Sequence, residues 1–527
     1  MYYLALAMLS PGVAHADWEQ SFKMTPDDGA ARDSFGSSVA ISGGLALVGS
    51  IGDDSKGSAY LFDLATGAQL FKLLPNDGAT GDTFGISVGL SGNTAIVGAF
   101  GDDDNGDRSG SAYLFDVTTG HQISKLLPDD GAAQDSFGYS VSISGGVALV
   151  GAFGDDGTGS AYLFDVASGN QVGKLYPEDP GFNDWFGQSV ALYGNTALIG
   201  SENNDNENGN NAGSAYLFNI ATGVQVAKLL PDDDIPQNEF GRSVALNSHT
   251  ALVGNRTFSK SQPSGVYTAS GVVYMFDLAT GLQTGRLIPE NSTPGDNFGY
   301  SVGLSGDIAV VGALSGESES GINSGVVYLF DITTGNQIAK LAPEGGASQD
   351  QFGHAVAIEG AFTLVGSRSD DDDGDSSGSA YVYDFALPGD LDRDADIDID
   401  DTNSLLTGIA SGSTDNSLDL DGSGSVGLTD FDFMLTSIIG TAYGDANLDL
   451  EVDLIDLSIL AANFGEFPRT WEHGDFNGSG EVNLTDLSIL ASNFGYSASI
   501  PEASVGGLMT AGVLAIGGMR RRDRRLL

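Results

Sequence analysis

Between residues 20 and 386, apolar and polar residues alternate in short runs, the period-2 signature of strands with one buried face. One stretch reads FGISVGL, NTAIVGA, SAYLFDV and HQISKLL, separated by Ser-Gly-Asn, by an Asp-rich loop and by Thr-Thr-Gly. These separators carry hairpin-turn residues, so the stretch predicts four antiparallel strands. After Leu387-Pro388 the pattern changes. Four 12-residue loops rich in Asp and Asn each lead into an apolar stretch: NSLLTGIA, FDFMLTSIIG, LSILAANFG and LSILASNFG.

The strand pattern recurs seven times. Phe-Gly stands at Phe35, Phe84, Phe137, Phe186, Phe240, Phe298 and Phe352, and 13 residues after each Phe comes a Val-Gly or Ile-Gly step, beginning at Val48. An aromatic strand is centred on Tyr60, Tyr113, Tyr162, Tyr216, Tyr274, Tyr328 and Tyr381, with 24 residues from each of the first six tyrosines to the next Phe. A proline precedes every Phe-Gly by nine residues. Only the interval from the Gly of Val-Gly to the Tyr varies, from 11 to 20 residues. All length change therefore falls in one loop per repeat, on one face.

Seven copies of four antiparallel strands predict a mainly β fold, a seven-bladed β-propeller of four-stranded blades over residues 17–387. The chain enters on Phe22-Lys23-Met24 and leaves on Tyr381-Val382-Tyr383, so the last unit lacks a fourth strand and the N-terminus carries a spare one. Pairing the two closes the ring and removes an open edge. The units resemble FG-GAP repeats, the blades of integrin-α-like propellers, through their Phe-Gly and Val-Gly-(Ala/Ser) steps. Calcium-binding members carry Asp between the first two strands. Here that position is a tight turn such as Ser42-Gly43-Gly44, and the Asp clusters (Asp53-Asp54, Asp102 to Asp104, Asp155-Asp156, Asp370 to Asp373) lie one loop later. They read as solvated acidic loops, with loose calcium binding as the alternative.

Charge narrows the function. The 527 residues hold 71 Asp+Glu against 21 Lys+Arg, a formal charge of −50, and no Cys. That balance excludes nucleic acid as a partner, because phosphate binding needs clustered Lys and Arg. The missing cysteines exclude a disulfide framework and Cys-bound zinc. So many carboxylates point instead to calcium, which takes six to eight oxygen ligands.

A calcium loop opening into a helix presents Asp or Asn at positions 1, 3, 5, 9 and 12. The first loop offers Asp390, Asp392, Asp394, Asp398 and Asp401, and the second Asp419, Asp421, Ser423 and Asp430, with Gly427 where a ligand is missing. The third offers Asp445, Asn447, Asp449, Asp453 and Asp456, and the fourth Asp475, Asn477, Ser479, Asn483 and Asp486. Position 8, which is Ile397, Val426, Val452 or Val482, is expected to make a short β-contact between paired loops. The loops resemble type I dockerin modules, with residues 388–442 as one pair and 443–497 as a second. That resemblance implies bound Ca2+ and a cohesin-like docking partner. Positions 10 and 11 (Ile399-Asp400, Leu428-Thr429, Leu454-Ile455, Leu484-Thr485) lack the Ser-Thr of that family, so a calcium-stiffened spacer stands beside docking.

At the N-terminus, YYLALAML and Ala14-His15-Ala16 read as a signal peptide over residues 1–16. At the C-terminus, residues 498–527 carry Pro501-Glu502, an apolar run expected to be helical, and an arginine cluster. This tail resembles the PEP-CTERM sorting signal, with Ala503 where that family has a second proline. Both ends imply export to the cell envelope, outer surface or extracellular matrix of a Gram-negative-type bacterium, with membrane contact only through the tail.

No phosphate loop, Gly-x-Ser-x-Gly or His-Glu-x-x-His occurs, and the propeller histidines His121, His249 and His354 occupy different repeat positions, as structural residues do. Residues that break the repeat carry more weight: Trp185, Arg242, the long loop 202–212, and Arg256, Lys260 and Tyr267 in the longest variable loop, 255–270. The chain thus reads as an exported binding or adhesion protein with an extracellular glycan or protein ligand. The alternative is a carbohydrate-active enzyme, or an accessory subunit in polysaccharide catabolism, attached through its dockerin-like region.

Overall fold

Phe-Gly and Val-Gly recur because two backbones meet there. The computed structural model describes residues 18–232, 239–257, 259–261, 267–318, 321–385, 389–391, 397–415 and 418–497. A Cβ built on Gly49 would lie 2.0 Å from the Gly85 carbonyl oxygen of the next blade, and one on Gly36 (φ 86°) would lie 2.3 Å from the Ser379 carbonyl. Only glycine permits both approaches. The Ser38 hydroxyl donates to the same Gly85 carbonyl at 2.8 Å, which stitches neighbouring inner strands together.

Seven four-stranded antiparallel sheets result, one per repeat. The first blade runs Phe35–Ser42, Leu45–Ser50, Ser58–Asp63 and Gln69–Leu73, hydrogen-bonded in that order. Successive inner strands lie against one another around the ring, and Phe352–Glu359 of the last blade meets Phe35–Ser42 of the first. The last blade takes its outer strand from the N-terminus: Trp18–Met24 pairs antiparallel with Ser379–Phe385, Trp18 opposite Phe385 and Met24 opposite Ala380. The closure expected from the repeat phase is therefore present.

The Phe of each Phe-Gly is fully buried between blades. Phe84 sits edge-on to Tyr113 (centroids 5.5 Å apart) and to Phe115 (5.8 Å), contacts worth about 0.5–1.5 kcal/mol each beyond the area they bury. A second device joins consecutive blades. The Gln of each outer strand accepts the backbone N–H of the residue following the repeat proline, as in Gln69 with Asp27 and Gln122 with Asn76. Gln20 does the same for Glu344 at 2.9 Å, so the N-terminal strand completes this ladder too.

The residues after the propeller form a second compact unit. Helices α1 (Ile399–Ser411), α2 (Leu428–Phe433, continued by a π-helical turn Met434–Ile439), α3 (Leu454–Asn463) and α4 (Leu484–Asn493) each start at position 10 of a loop. Position 12 explains this start: its carboxylate accepts the backbone N–H of position 9, as Asp456 does from Asp453 at 2.8 Å. All four helices share one core around the fully buried Trp471, whose indole N–H donates to the Asp445 carbonyl at 2.7 Å.

The position 8 expectation needs correction. Val452 pairs with the segment after α4 (Val452 N–H to Tyr496, Gly495 N–H to Val452), and Val482 with the segment after α3 (Gly465 N–H to Val482). The third and fourth loops thus each pair with the exit of the other's helix rather than with each other. Residues 1–17 and 498–527, which carry the signal and sorting-tail expectations and the C-terminal apolar helix, lie outside the described residues. Among the described residues, no helix is long and apolar enough to cross a membrane.

Candidate functional site

In every blade the start of the first strand lies opposite the end of the second, as Phe35 lies opposite Ser50. The residue before Phe-Gly, the residue after it and the residue following Val-Gly-(Ala/Ser) therefore sit at the same blade end. Ring closure brings seven such sets to one mouth of the central channel. The frame leaves these positions free, and they differ from blade to blade: Ser37, Ile86, Tyr139, Gln188, Arg242, Tyr300 and His354 follow the seven Phe-Gly pairs.

Contacts run from blade to blade around this mouth. Phe100 packs edge-on to Tyr139 (5.5 Å), Tyr139 to Phe153 (4.8 Å), and Phe153 against Trp185 (5.7 Å). On the other side, the Arg242 guanidinium lies over the Tyr300 ring at 4.8 Å, and that of Arg256 over the same ring at 5.8 Å. Tyr300 stacks at a tilt on His354 (5.2 Å) and bonds its Nε2 at 3.3 Å, while His354 Nδ1 donates to the Ser37 carbonyl at 3.1 Å. Arg256 Nε donates to Glu239 at 2.5 Å, and Arg368 Nε to Gln351 at 3.1 Å.

Electrostatics follow from burial. Burial, with Arg368 and Arg242 close by, pushes the His354 imidazole down to about 3, so it is neutral. Burial raises the Glu202 carboxyl despite Arg242 at 3.8 Å. Burial opposes the Arg242 charge, but Tyr300, Glu202 and Tyr139 outweigh it and hold the guanidinium firmly protonated.

Three of the residues singled out from sequence, Trp185, Arg242 and Arg256, therefore lie on this mouth. Arg242 is largely buried, its side chain 16% accessible, because the Tyr300 ring beds it. Trp185 is half-buried against Phe153. The longest loop forms a small ribbon, Ser259–Ser261 with Tyr267–Ala269, but the side chains of Lys260 and Tyr267 lie outside the described residues. Sequence reasoning missed Tyr139, Gln188 and Tyr300, reached Glu202 only as the start of the long loop 202–212, and read His354 as structural. Their signal was positional: each directly follows a Phe-Gly or a Val-Gly-(Ala/Ser) step.

The acidic loops on the same blade end are not simply solvated, and that reading is corrected. The first Asp of each cluster (Asp53, Asp102, Asp155, Asp370) is buried and held by the lysine of the outer strand. Lys125 Nζ sits 2.8, 2.9 and 2.6 Å from Asp77, Asp102 and Asp104, and the Tyr113 hydroxyl donates to Asp102 at 2.9 Å. Lys72 and Lys174 repeat the arrangement with Asp53 and Asp155 at 2.7 Å. Burial opposes the Lys125 charge, yet Asp104, Asp77 and Asp102 raise its pKa well above the usual lysine value. An ammonium thus occupies the centre of each carboxylate group. Asp54, Asp103, Asp104, Asp156 and Asp371 to Asp373 remain exposed.

In the second unit, the position 12 carboxylates Asp401, Asp430, Asp456 and Asp486 are fully buried. Position 1 folds the loop around itself: Asp445 accepts the N–H groups of Asp449 and Leu450, and Asp475 those of Ser479 and Gly480. Burial, with Asp456 or Asp486 beside them, raises the carboxyls of Asp445 and Asp475. Like charges held this close, without a lysine among them, suit a divalent cation. Asp419, Asp421 and Asp430 bring carboxylate oxygens within 4.8 Å of one another. Asp390 and Asp398 are described; Asp392 and Asp394 lie outside the described residues. Asp398, Asp453 and Asn483 cap their helices, each accepting the N–H two residues on.

No curated protein matches the chain. A family model described as FG-GAP repeat matches residues 18–62, 68–115, 121–164, 170–218, 224–276, 282–330 and 336–383, one match for each blade. With seven matched blades closed into one ring, the chain belongs to the FG-GAP repeat family.

Proposed function

We propose that this protein is an exported ligand-binding or adhesion protein of the cell envelope, and that its ligand seats on the propeller mouth. One observation carries the reading. The side chains that break the repeat, among them Trp185, Glu202, Arg242, Arg256 and Tyr300, gather at one end of the ring instead of scattering over it. Framework residues recur in every blade, so a cluster of exceptions marks the surface that is not serving closure. FG-GAP propellers are commonly ligand-binding or adhesion modules, which agrees with this assignment.

The second unit is read as a dockerin-like, calcium-binding module for docking or spacing, and the chain ends as export and sorting signals. Calcium would be held by the position 1, 3, 5 and 12 side chains, and those of positions 1, 3 and 12 lie close together in the second loop. The ligand assignment is tested by screening the full chain on glycan and protein arrays. Residues 256–268 are then replaced by the short Gly-Asp-Asp-Gly-Thr-Gly connection of the third blade. The swap is expected to preserve folding and reduce binding; undiminished binding would move the ligand off this face.

A further inference from the structure

Buried polar atoms are nearly always hydrogen-bonded, and those left unpaired call for an explanation. Three such atoms meet at the propeller mouth: Gln188 Oε1, Glu202 Oε2 and Arg242 Nε. Gln188 is 6% exposed and Glu202 4%. Arg242 Nε lies 3.8 Å from Glu202 Oε2, beyond hydrogen-bond reach, and the Gln188 amide neighbours the same carboxyl. Other blades place Ser37 or Ile86 where Gln188 stands, so closing the ring does not require a buried amide.

The unpaired set is mixed, with two acceptors and one donor. A sulfate brings only acceptors, so it would leave Gln188 and Glu202 unpaired. A polyol brings hydroxyl donors for both. Arginine density adds a carboxylate to the requirement: of the six arginines between residues 18 and 385, Arg242, Arg256 and Arg368 stand at this mouth, on a chain of formal charge −50. Two of those guanidinium groups flank the Tyr300 ring, which fixes their direction. On the two preceding blades Phe153 and Trp185 offer half-buried aromatic faces, on which the C–H face of a pyranose packs well.

We propose that the mouth binds a uronic-acid unit of an acidic polysaccharide. Its hydroxyls donate to Gln188 Oε1 and Glu202 Oε2, its carboxylate accepts from Arg242 and Arg256, and its ring lies on Trp185. The assignment deepens the binding reading above and rests on it.

Isothermal titration of the full chain with trigalacturonic acid and with its fully methyl-esterified form tests the assignment, since esterification replaces each carboxylate by an uncharged ester and leaves the ring hydroxyls in place. The acid is expected to bind at least about tenfold tighter than the ester, and Arg242→Gln and Arg256→Gln are each expected to weaken the acid about tenfold without weakening the ester. Arg242→Gln leaves Glu202 without its cation and is checked for folding. If it fails, Arg256→Gln, with a side chain 32% exposed, carries the test. Equal affinity for acid and ester, acid binding that survives the arginine variants, or no binding of either overturns the proposal. The broader reading has a separate outcome. A neutral glycan whose binding is lost in Trp185→Ala would keep the mouth as a ligand site while overturning the acidic-sugar assignment.

Discussion

Lys23, on the first strand of the protein, places its ammonium 3.2 Å from the buried carboxylate of Asp370, 347 residues later in the chain. Asp372 contacts the same ammonium, and the Tyr381 hydroxyl donates to Asp370 at 2.7 Å. The group reproduces the lysine–aspartate–tyrosine cluster of the first three blades, with the lysine supplied from the other end of the propeller. Ring closure is thus an electrostatic event as well as a strand pairing.

Removing the closing strand should therefore cost more than a frayed terminus would. A full chain beginning at residue 30 loses the partner of Ser379–Phe385 and leaves Asp370 buried without its lysine. It should melt at lower temperature and self-associate through the open edge, compared with a chain beginning at residue 18. Calorimetry and light scattering check this; identical melting and monomeric behaviour would refute strand closure.

The lysine clusters should be unequal. Lys125→Met strips the cation from Asp102, whose carboxylate is nearly inaccessible, and is expected to cost about 2–4 kcal/mol. Among the described residues, Lys340 in the sixth blade has the Glu317 carbonyl at 3.4 Å and the Tyr328 ring at 5.7 Å but no carboxylate, so Lys340→Met should cost below about 1 kcal/mol. Denaturant unfolding of both variants measures the difference.

His354 gives the fold an acid limit. Its folded pKa of about 3 lies below the ordinary value of 6.5. Below pH 6.5 the unfolded chain takes up a proton that the folded chain refuses, so stability from this residue is complete above 6.5 and drains away as pH falls toward 3. The amount is a few kcal/mol, at roughly 1.4 kcal/mol per pKa unit. Asp350, raised to about 6 by burial, runs the opposite way: its folded form holds the proton longer, so ionising it costs stability as pH rises from about 4 to 6. His354→Gln should flatten the loss between pH 6.5 and 3, and Asp350→Asn should remove the opposing slope. Melting temperatures across that range separate the two.

Trp471 reports on metal in the second unit. Its indole donates to the backbone of Asp445, the first residue of the third loop. Chelating calcium should loosen that loop and shift Trp471 emission to longer wavelength, a change abolished by Trp471→Phe. Asp445→Ala should lower calcium stoichiometry more clearly than Asp419→Ala, because the second loop already lacks a side chain at Gly427. An emission spectrum indifferent to chelator would count against calcium in this loop.

Blade number, strand order, closure by the N-terminal strand and a helix after each loop of the second unit were all legible in the sequence. Each depends on local periodicity or on a residue type with one backbone use, such as the glycines where neighbouring blades touch. The mouth was legible only in fragments. Trp185, Arg242 and Arg256 stood out as exceptions to a repeat, but their partners Tyr139 and Tyr300 did not, because angular position around a ring is no property of any single repeat. The lysine at the heart of each acidic loop was hidden for the same reason. Asp102 and Lys125 lie 23 residues apart and meet only when the outer strand folds back beside the loop. In the second unit the apolar position 8 was visible, but its partner was not, since a two-residue β-contact carries no register of its own. Periodic, short-range constraints wrote the frame into the chain; which side chains share a buried space was decided by closure.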